Sequence, residues 1–159
     1  MTLNLPKTIK MVITDFDGVV TDNNVYIDNN SVASRNLNFK DIMGIYLLKR
    51  NNIEVAIISG EKNAAIEVLS NKLELSEIHQ NIRVKIDVLK SILEKYSLSP
   101  EEYVYVGDEV NDLECLEFAK YKVTVPQAHK KIKNIVGIQM TEADAGCGAF
   151  REVADCLTD

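Results

Sequence analysis

Short runs of β-branched and other apolar residues alternate along this chain with segments of helical periodicity. The apolar runs at residues 9–14, 53–59, 103–108 and 121–125 are typical of strands that are buried on both faces of a parallel sheet. The segments between them place apolar residues three and four positions apart, which predicts amphipathic helices. Strands that alternate with helices in this order predict an α/β fold, in which helices flank a parallel sheet.

The remaining predicted elements complete this order. Residues 25–37 hold two extended runs around a cluster of turn residues at 28–31, which predicts a β-hairpin that projects from the end of the first strand. Residues 137–141 predict an edge strand. Because no linker or repeat interrupts the pattern, we expect residues 1–159 to form one domain. The predicted helices are at residues 41–51, 62–75, 84–98, 110–119 and 148–157.

Composition argues against several classes of protein. The net charge is −6 and charged residues make up 26% of the chain, which argues against a nucleic-acid surface built from clustered Lys and Arg. No apolar run approaches the roughly 20 residues that span a bilayer, and we expect no secretory leader. The cysteines Cys115, Cys147 and Cys156 are odd in number and widely spaced. This favours free thiols and a cytoplasmic location.

Polar residues follow the predicted buried strands. In an open parallel sheet, ligands bind beyond the carboxyl ends of the strands, so these residues are expected to meet at one edge. They are Asp15 and Asp17 after the first strand, Ser59 and Gly60 after the second, Lys85 at the start of the following helix, and Asp108, Asn111 and Asp112 after the third strand.

The convergence of these carboxylates points to a metal ion. Without neutralisation they would repel one another by on the order of several kcal/mol in a poorly solvated cleft. A hard divalent cation removes this repulsion, and Mg²⁺ suits one or two carboxylates together with a phosphate. The Lys85 ammonium and the Ser59 hydroxyl add donors for phosphate oxygens. The sequence therefore predicts a Mg²⁺ and phosphate site at this edge.

Four segments resemble, in the right order, the motifs of the haloacid dehalogenase superfamily of phosphotransferases. They are DFDGVVTD (15–22), IISG (57–60), Lys85 and GDEVND (107–112). The resemblance covers nearly the whole chain and implies a Rossmann-like fold. It also implies that Asp15 attacks phosphorus to form an aspartyl-phosphate. Asp17 would protonate the leaving alkoxide and then activate water for hydrolysis.

The same resemblance implies roles for three groups of residues. The metal ligands are Asp15, Asp17 through its main-chain carbonyl, and Asp108; the phosphate ligands are Ser59, Gly60 and Lys85; the residues that orient Lys85 and the metal's outer ligands are Asn111 and Asp112.

A narrower resemblance concerns the subfamily. The segments between Asp22 and Ser59 and between Ser59 and Lys85 are too short for a cap domain, so we expect a capless member. DGVVTDN (17–23), FKDIMGIYLLK (39–49) and AGCGAFREVAD (145–155) are similar to tetrameric phosphatases of 2-keto-3-deoxy sugar acids. These act on 3-deoxy-octulosonate 8-phosphate or on nonulosonate (sialic-acid type) 9-phosphate, in lipopolysaccharide or sialic acid biosynthesis. The resemblance implies a homotetramer whose sites are closed by neighbouring subunits and by the Gly-rich C-terminal segment.

Departures from that subfamily bear on the substrate. Octulosonate enzymes commonly have Thr-Gly-Arg after the second strand and Arg-Asp-Gly before the first main helix. This chain has Ser-Gly-Glu (59–61) and Lys-Asp-Ile (40–42), and Ala145 replaces the first glycine of the tail. Glu61 reverses the charge beside the phosphate site, and the Gly-Glu-Lys run (60–62) resembles the nonulosonate branch more closely, so nonulosonate 9-phosphate is slightly favoured. The candidate substrate contacts are Lys40, Asp41, Glu61 and Arg151.

Other interpretations stay open at this point. Lys40 and Asp41 could cap a helix, and Arg151 could pair with Glu152 or Asp155 on the surface. A phospho-acceptor receiver module also combines acidic residues, Mg²⁺ and a lysine, but its acceptor Asp follows a middle strand. A catalytically silent assembly partner of a sugar-acid cytidylyltransferase is the third interpretation, and the intact motif residues argue against it.

Overall fold

The computed structural model describes residues 3–159. Among these residues, no helix is long and apolar enough to span a membrane. The strands are β1 (Met11–Thr14), β2 (Tyr26–Ile27), β3 (Ala33–Ser34), β4 (Glu54–Ile58), β5 (Glu77–His79), β6 (Tyr103–Val106), β7 (Tyr121–Thr124) and β8 (Gln139–Met140). The helices are α1 (Phe39–Arg50), α2 (Ala64–Leu73), α3 (Lys85–Lys95), α4 (Leu113–Phe118), α5 (Lys130–Lys133) and α6 (Ala149–Thr158). A 3-10 turn at Val110–Asp112 precedes α4.

Six strands form one sheet in the order β5-β4-β1-β6-β7-β8. Every pairing in this sheet is parallel, which confirms the predicted fold class. Thr14, the last residue of β1, lies opposite Ile57 of β4 and Val106 of β6. The three central strands therefore end within one residue of the same level, and the residues that follow them share one edge of the sheet.

Helices cover both faces of the sheet because its central strands are apolar on both faces. All four residues of β1 and of β6 are buried. Val12 and its neighbours on one face pack against buried residues of α1, α2 and α6. Ile13 and its neighbours on the other face pack against buried residues of α3, α4 and α5. Since successive side chains of a strand point to opposite faces, a continuous apolar run supplies both cores.

The predicted hairpin is present and lies outside the main sheet. Strands β2 and β3 pair antiparallel, with Tyr26 opposite Ser34. The Asp28 carboxylate closes the turn by accepting hydrogen bonds from the N–H groups of Asn30 and Val32, both at 2.9 Å. Within residues 3–159, only this hairpin lies between β1 and α1, and only α2 and β5 lie between β4 and α3. No cap domain interrupts the described chain.

Strand β5 was not predicted, because its residues carry no apolar pattern. Its Glu77 is buried and is stabilised by polar partners. The Tyr96 hydroxyl donates to Glu77 at 2.9 Å, and His79 Nε2 lies 3.0 Å from the same carboxylate. Lys95 also contacts it. This strand is therefore stabilised by tertiary contacts that the local sequence does not reveal.

Candidate active site

The loop after β1, residues 15–22, begins at the carboxyl edge of the sheet. The Asp15 N–H still donates to the Val106 carbonyl, at 2.9 Å, so the first carboxylate is placed by the sheet itself. Gly18 has φ +93°, and a Cβ atom there would lie 2.1 Å from Asp108 Oδ2. Only glycine therefore permits this loop to approach the residue that follows β6.

Lys85 forms a buried ion pair with two of the predicted site residues. Its Nζ lies 2.9 Å from Asp15 Oδ1 and 2.8 Å from Asp112 Oδ1. The Tyr105 hydroxyl donates to the same Asp112 oxygen at 2.8 Å. Burial alone would lower the pKa of Lys85, but the charges of Asp112 and Asp15 outweigh it and raise that pKa above its ordinary value. The ammonium group therefore stays charged and neutralises part of the acidic cluster.

Asp15, Asp108 and Asp112 bring carboxylate oxygens within 4.8 Å of one another. Burial, followed by the charge of Asp112, raises the pKa of Asp15 to about 7. Burial, followed by the charges of Asp15 and Asp112, raises the pKa of Asp108 to about 8. Asp108 Oδ1 is buried and finds no hydrogen-bond partner within residues 3–159. A hard divalent cation would satisfy this oxygen and remove the repulsion, so the cluster fits such an ion.

Asp112 differs from the other two carboxylates because both of its oxygens have partners. Oδ1 is bound by Lys85 and Tyr105, and Oδ2 accepts the Asp108 N–H at 3.2 Å and the Glu109 N–H at 3.4 Å. This arrangement fixes Lys85 and the loop after β6. The second residue predicted for this role, Asn111, is exposed and lies across from Gly60, where a Cβ atom would be 3.3 Å from Asn111 Nδ2.

Asp17 lies outside the acidic cluster. Thr21 Oγ1 donates to Asp17 Oδ1 at 2.9 Å. Arg35, which follows β3, contacts both carboxylate oxygens of Asp17 at 3.4 Å. Arg35 was not predicted, because it belongs to no motif. The available signal was a single basic residue at the base of the predicted hairpin, close to the loop after β1.

Ser59, the first residue after β4, lies at the same edge of the sheet and has a hydroxyl group that can donate a hydrogen bond. Ser59 is buried, and its N–H donates to the His79 carbonyl of β5 at 2.8 Å. Its Oγ accepts the Glu61 N–H at 3.2 Å, which leaves the hydroxyl proton of Ser59 able to donate to a ligand. Glu61 itself is exposed one residue beyond Gly60.

Asp41 has a capping role in the structure. Its side chain is fully buried. Its carboxylate accepts the N–H groups of Gly148 at 3.0 Å, Phe150 at 2.9 Å and Arg151 at 3.2 Å. Both oxygens thereby accept N–H groups at the start of α6, so Asp41 caps that helix, and its contact with a substrate stays a prediction. The cap of its own helix is Asn38.

Two further predicted substrate residues, Lys40 and Arg151, lie beside the Gly-rich segment, residues 145–148. Lys40, Gly148 and Arg151 line a cavity of about 420 Å³, and the acidic cluster does not contribute to its lining. Arg151 Nε also donates to Asp155, the surface pairing that was the alternative for this residue. Gly146 lies close against the loop after β1. A Cβ atom at this position would lie 2.4 Å from the Asp22 nitrogen.

Comparison with known proteins identifies the family of this chain. The family model described as haloacid dehalogenase-like hydrolase matches residues 19–148, so the chain belongs to this family. The predicted family, fold class and hydrolase class are thereby confirmed.

Individual proteins similar to this chain carry a more specific enzyme name than the family does. The chain is 34% identical over 151 residues to the 3-deoxy-D-manno-octulosonate 8-phosphate phosphatase of Salmonella typhi, covering 95% of this chain and 80% of the relative. The structure of the Yersinia pestis phosphatase of the same name superposes with a TM-score of 0.90 at 29% identity, covering 95% and 81% of the two chains. The Moraxella catarrhalis phosphatase, solved with a magnesium ion, a phosphate ion and a KDO molecule, gives 0.89 at 26% identity, covering 95% and 86%.

Proposed function

We propose that this chain is a Mg²⁺-dependent phosphomonoesterase that hydrolyses a phosphorylated 2-keto-3-deoxy sugar acid through an aspartyl-phosphate on Asp15. The observation that supports the proposal best is the buried contact of Asp15 with Lys85, 2.9 Å apart. Beside it lies a carboxylate oxygen of Asp108 that has no hydrogen-bond partner among residues 3–159. The proposal assigns the nucleophile to Asp15, the phosphate-binding cation to Lys85 and a metal ligand to Asp108, and their closeness at one edge of the sheet supports it. The names of the relatives support the same reaction.

The residues that would hold Mg²⁺ are Asp15 and Asp108 through their carboxylates and Asp17 through its main-chain carbonyl. The raised pKa values of Asp15 and Asp108 fit this role, because a cation replaces the protons that these groups otherwise retain. When bound, Mg²⁺ supplies electrostatic stabilisation to the phosphoryl oxygens in the transition state.

The residues of the chain carry out the covalent chemistry in two steps. In the first, an Asp15 oxygen forms a bond to phosphorus, the bond from phosphorus to the sugar oxygen breaks, and the Asp17 carboxyl group gives its proton to the departing alkoxide. In the second, Asp17 takes a proton from water, whose oxygen attacks phosphorus and releases phosphate from Asp15. Lys85 and Ser59 bind the phosphoryl oxygens throughout.

Two sugar acids of this class are supported by different observations. The names of the relatives support 3-deoxy-octulosonate 8-phosphate. Glu61, which is exposed just beyond Gly60, supports nonulosonate 9-phosphate, because a carboxylate there rejects groups that an arginine would bind.

Rates of phosphate release from the two esters test this choice. If Glu61 governs specificity, kcat/KM for nonulosonate 9-phosphate is expected to be at least about tenfold higher, which corresponds to about 1.4 kcal/mol. Glu61→Arg is then expected to reverse the preference. Equal rates, or a preference for the octulosonate ester, would remove Glu61 as the discriminating residue. No release from either ester would contradict the proposed function.

We also propose a homotetramer in which neighbouring copies close the site. The hairpin supports this proposal, because its apolar residues Val25, Tyr26, Ile27 and Val32 are all at least half exposed, and exposed apolar patches mark interfaces. A molar mass of a single chain in light scattering would contradict it.

We further propose that residues 1–159 act as one domain in the cytoplasm. The three cysteines support this location, since all are free, as is usual in a reducing compartment. Recovery of the protein in a periplasmic fraction would contradict it.

Mg²⁺ is expected to stabilise the folded chain more at about pH 8 than at about pH 6. The pKa values of Asp15 and Asp108 are raised from 3.8 to about 7 and about 8. Between about pH 4 and about pH 8 the metal-free folded chain therefore binds more protons than the unfolded chain, and its stability falls as pH rises through this window. Calorimetric Tm values with EDTA and with Mg²⁺ at both pH values measure the effect. Asp108→Asn is expected to shrink it, and an equal Tm shift at both pH values would contradict it.

A further inference from the structure

Arg35 reaches from the base of the hairpin to the loop after β1. Its Nε lies 3.4 Å from Asp17 Oδ1 and its Nη2 lies 3.4 Å from Asp17 Oδ2. The Arg35 side chain is only 11% exposed, and that of Asp17 is 20% exposed. This is a side-on contact of one guanidinium with both oxygens of one carboxylate, a geometry that restricts rotation of the carboxylate plane.

Thr21 completes the set of contacts that hold Asp17. Its hydroxyl donates to Oδ1 at 2.9 Å, from within the same loop. One contact therefore comes from the loop that carries Asp17, and the other comes from a separate element of structure. The two carboxylates assigned to the reaction thus have separate cations, since Asp15 contacts Lys85 and Asp17 contacts Arg35.

We propose that Arg35 is a positioning residue for proton transfer by Asp17. The proposal rests on the proposed function. A general acid works only when its proton lies within hydrogen-bond reach of the departing oxygen, and small misplacements of a reacting group cost large factors in rate. Arg35 holds the Asp17 carboxyl group in one orientation, and so the position of the hairpin determines how well the leaving alkoxide is protonated.

A purely structural role, in which Arg35 only attaches the hairpin to the sheet, makes a different prediction. It would lower activity on every substrate by the same factor. A positioning role depends on the leaving group, because an alkoxide needs a proton to depart whereas p-nitrophenolate does not. The value of kcat/KM covers the steps up to departure of the alcohol or phenol, so it isolates this difference.

The test compares Arg35→Ala with the wild-type chain on a sugar-acid phosphate and on p-nitrophenyl phosphate, both with Mg²⁺. We expect kcat/KM for the sugar-acid ester to fall by about 100-fold, the lower end of what general acid catalysis contributes, and kcat/KM for the aryl ester to fall less than about threefold. Arg35→Lys keeps the charge but makes one contact, so an intermediate loss on the sugar-acid ester is expected. Equal losses on both esters, or no loss, would overturn the proposal.

Two controls sharpen the result. Arg50→Ala removes the same charge from an exposed position at the end of α1, and we expect it to leave both rates unchanged. Thr21→Val removes the second contact to Asp17. Because Thr21 and Arg35 hold the same carboxylate, the effects of the two substitutions on the sugar-acid ester are expected to be non-additive, and strict additivity would contradict the proposal.

The outcome separates this proposal from the proposed function. A wild-type chain that releases phosphate from neither ester overturns both. A wild-type chain that turns over both esters, together with an Arg35→Ala variant that keeps the wild-type ratio of kcat/KM values, overturns only the role of Arg35.

Discussion

The Asp15→Asn variant is expected to lose at least about 10³-fold in kcat for phosphate release, equivalent to about 4 kcal/mol of transition-state stabilisation. An amide oxygen is a poor nucleophile at phosphorus, so the aspartyl-phosphate cannot form. The fold is expected to persist, because Lys85 keeps its 2.8 Å contact with Asp112. Phosphate release at saturating substrate and Mg²⁺ measures the loss, and a thermal melt checks the fold.

A matched variant separates loss of the nucleophile from loss of charge. Asp87 is exposed on α3, two residues beyond Lys85, so Asp87→Asn makes the same chemical change away from the cluster. We expect Asp87→Asn to retain the wild-type rate. An Asp15→Asn variant that keeps more than about a tenth of wild-type turnover would show that Asp15 is not the nucleophile.

The Lys85→Met variant is expected to lower the free energy of unfolding by about 3–5 kcal/mol, the range found when one partner of a buried ion pair is removed. Lys85 is buried and contacts Asp15 and Asp112 at 2.9 and 2.8 Å. Its loss leaves these two buried carboxylates to repel each other. Methionine fills a similar volume, so the loss reports the missing charge and not a cavity. Urea denaturation near pH 8 with EDTA measures it.

Lys90→Met is the control for this experiment. Lys90 is exposed on the same helix, where its ammonium lies 5.5 Å from the centre of the Phe118 ring. We expect this variant to lose less than about 1 kcal/mol. Protonation of Asp15 and Asp108 relieves the repulsion, so the Lys85→Met loss is expected to shrink toward pH 5. A loss below about 1 kcal/mol near pH 8 would mean that Lys85 is not needed to neutralise the cluster.

The sheet could be predicted from the sequence because its central strands carry their own signal. β1 and β6 are buried on both faces, so burial and sequence pattern coincide. β5 shows the opposite case, because Glu77 is buried through contacts with Lys95, Tyr96 and His79. Two of these partners, Lys95 and Tyr96, lie on or directly after α3. The sequence of Glu77–His79 alone does not predict contacts with them.

The candidate site likewise contains residues that the sequence could predict and residues that it could not. Its acidic residues and Lys85 follow strands whose order along the chain predicts a shared edge, and the structure places Asp15, Lys85, Asp108 and Asp112 in contact there. Arg35 was not predicted, since a single basic residue at the base of the hairpin does not by itself reveal a contact with Asp17.

The helix that Asp41 caps could not be predicted, for a related reason. Its position at the start of α1 suggested either a cap for that helix or a substrate contact. The groups that it binds begin at Gly148, far along the chain, and become neighbours only when α1 packs against α6. A sequence shows that a carboxylate can act as a cap, but not which helix it will cap.

This cap has a consequence for amide hydrogen exchange. The first N–H groups of a helix have no partner within it and ordinarily exchange rapidly with solvent. In α6, the N–H groups of Phe150 and Arg151, with that of Gly148 before them, are bonded to a fully buried carboxylate carried by α1. Their deuterium uptake therefore reports separation of two helices and not fraying of one end. Because Gly146 also bonds to the Val19 carbonyl, the Gly-rich segment is tethered on both sides of Cys147, and any opening of that segment that releases Gly148 will appear first in these three amides.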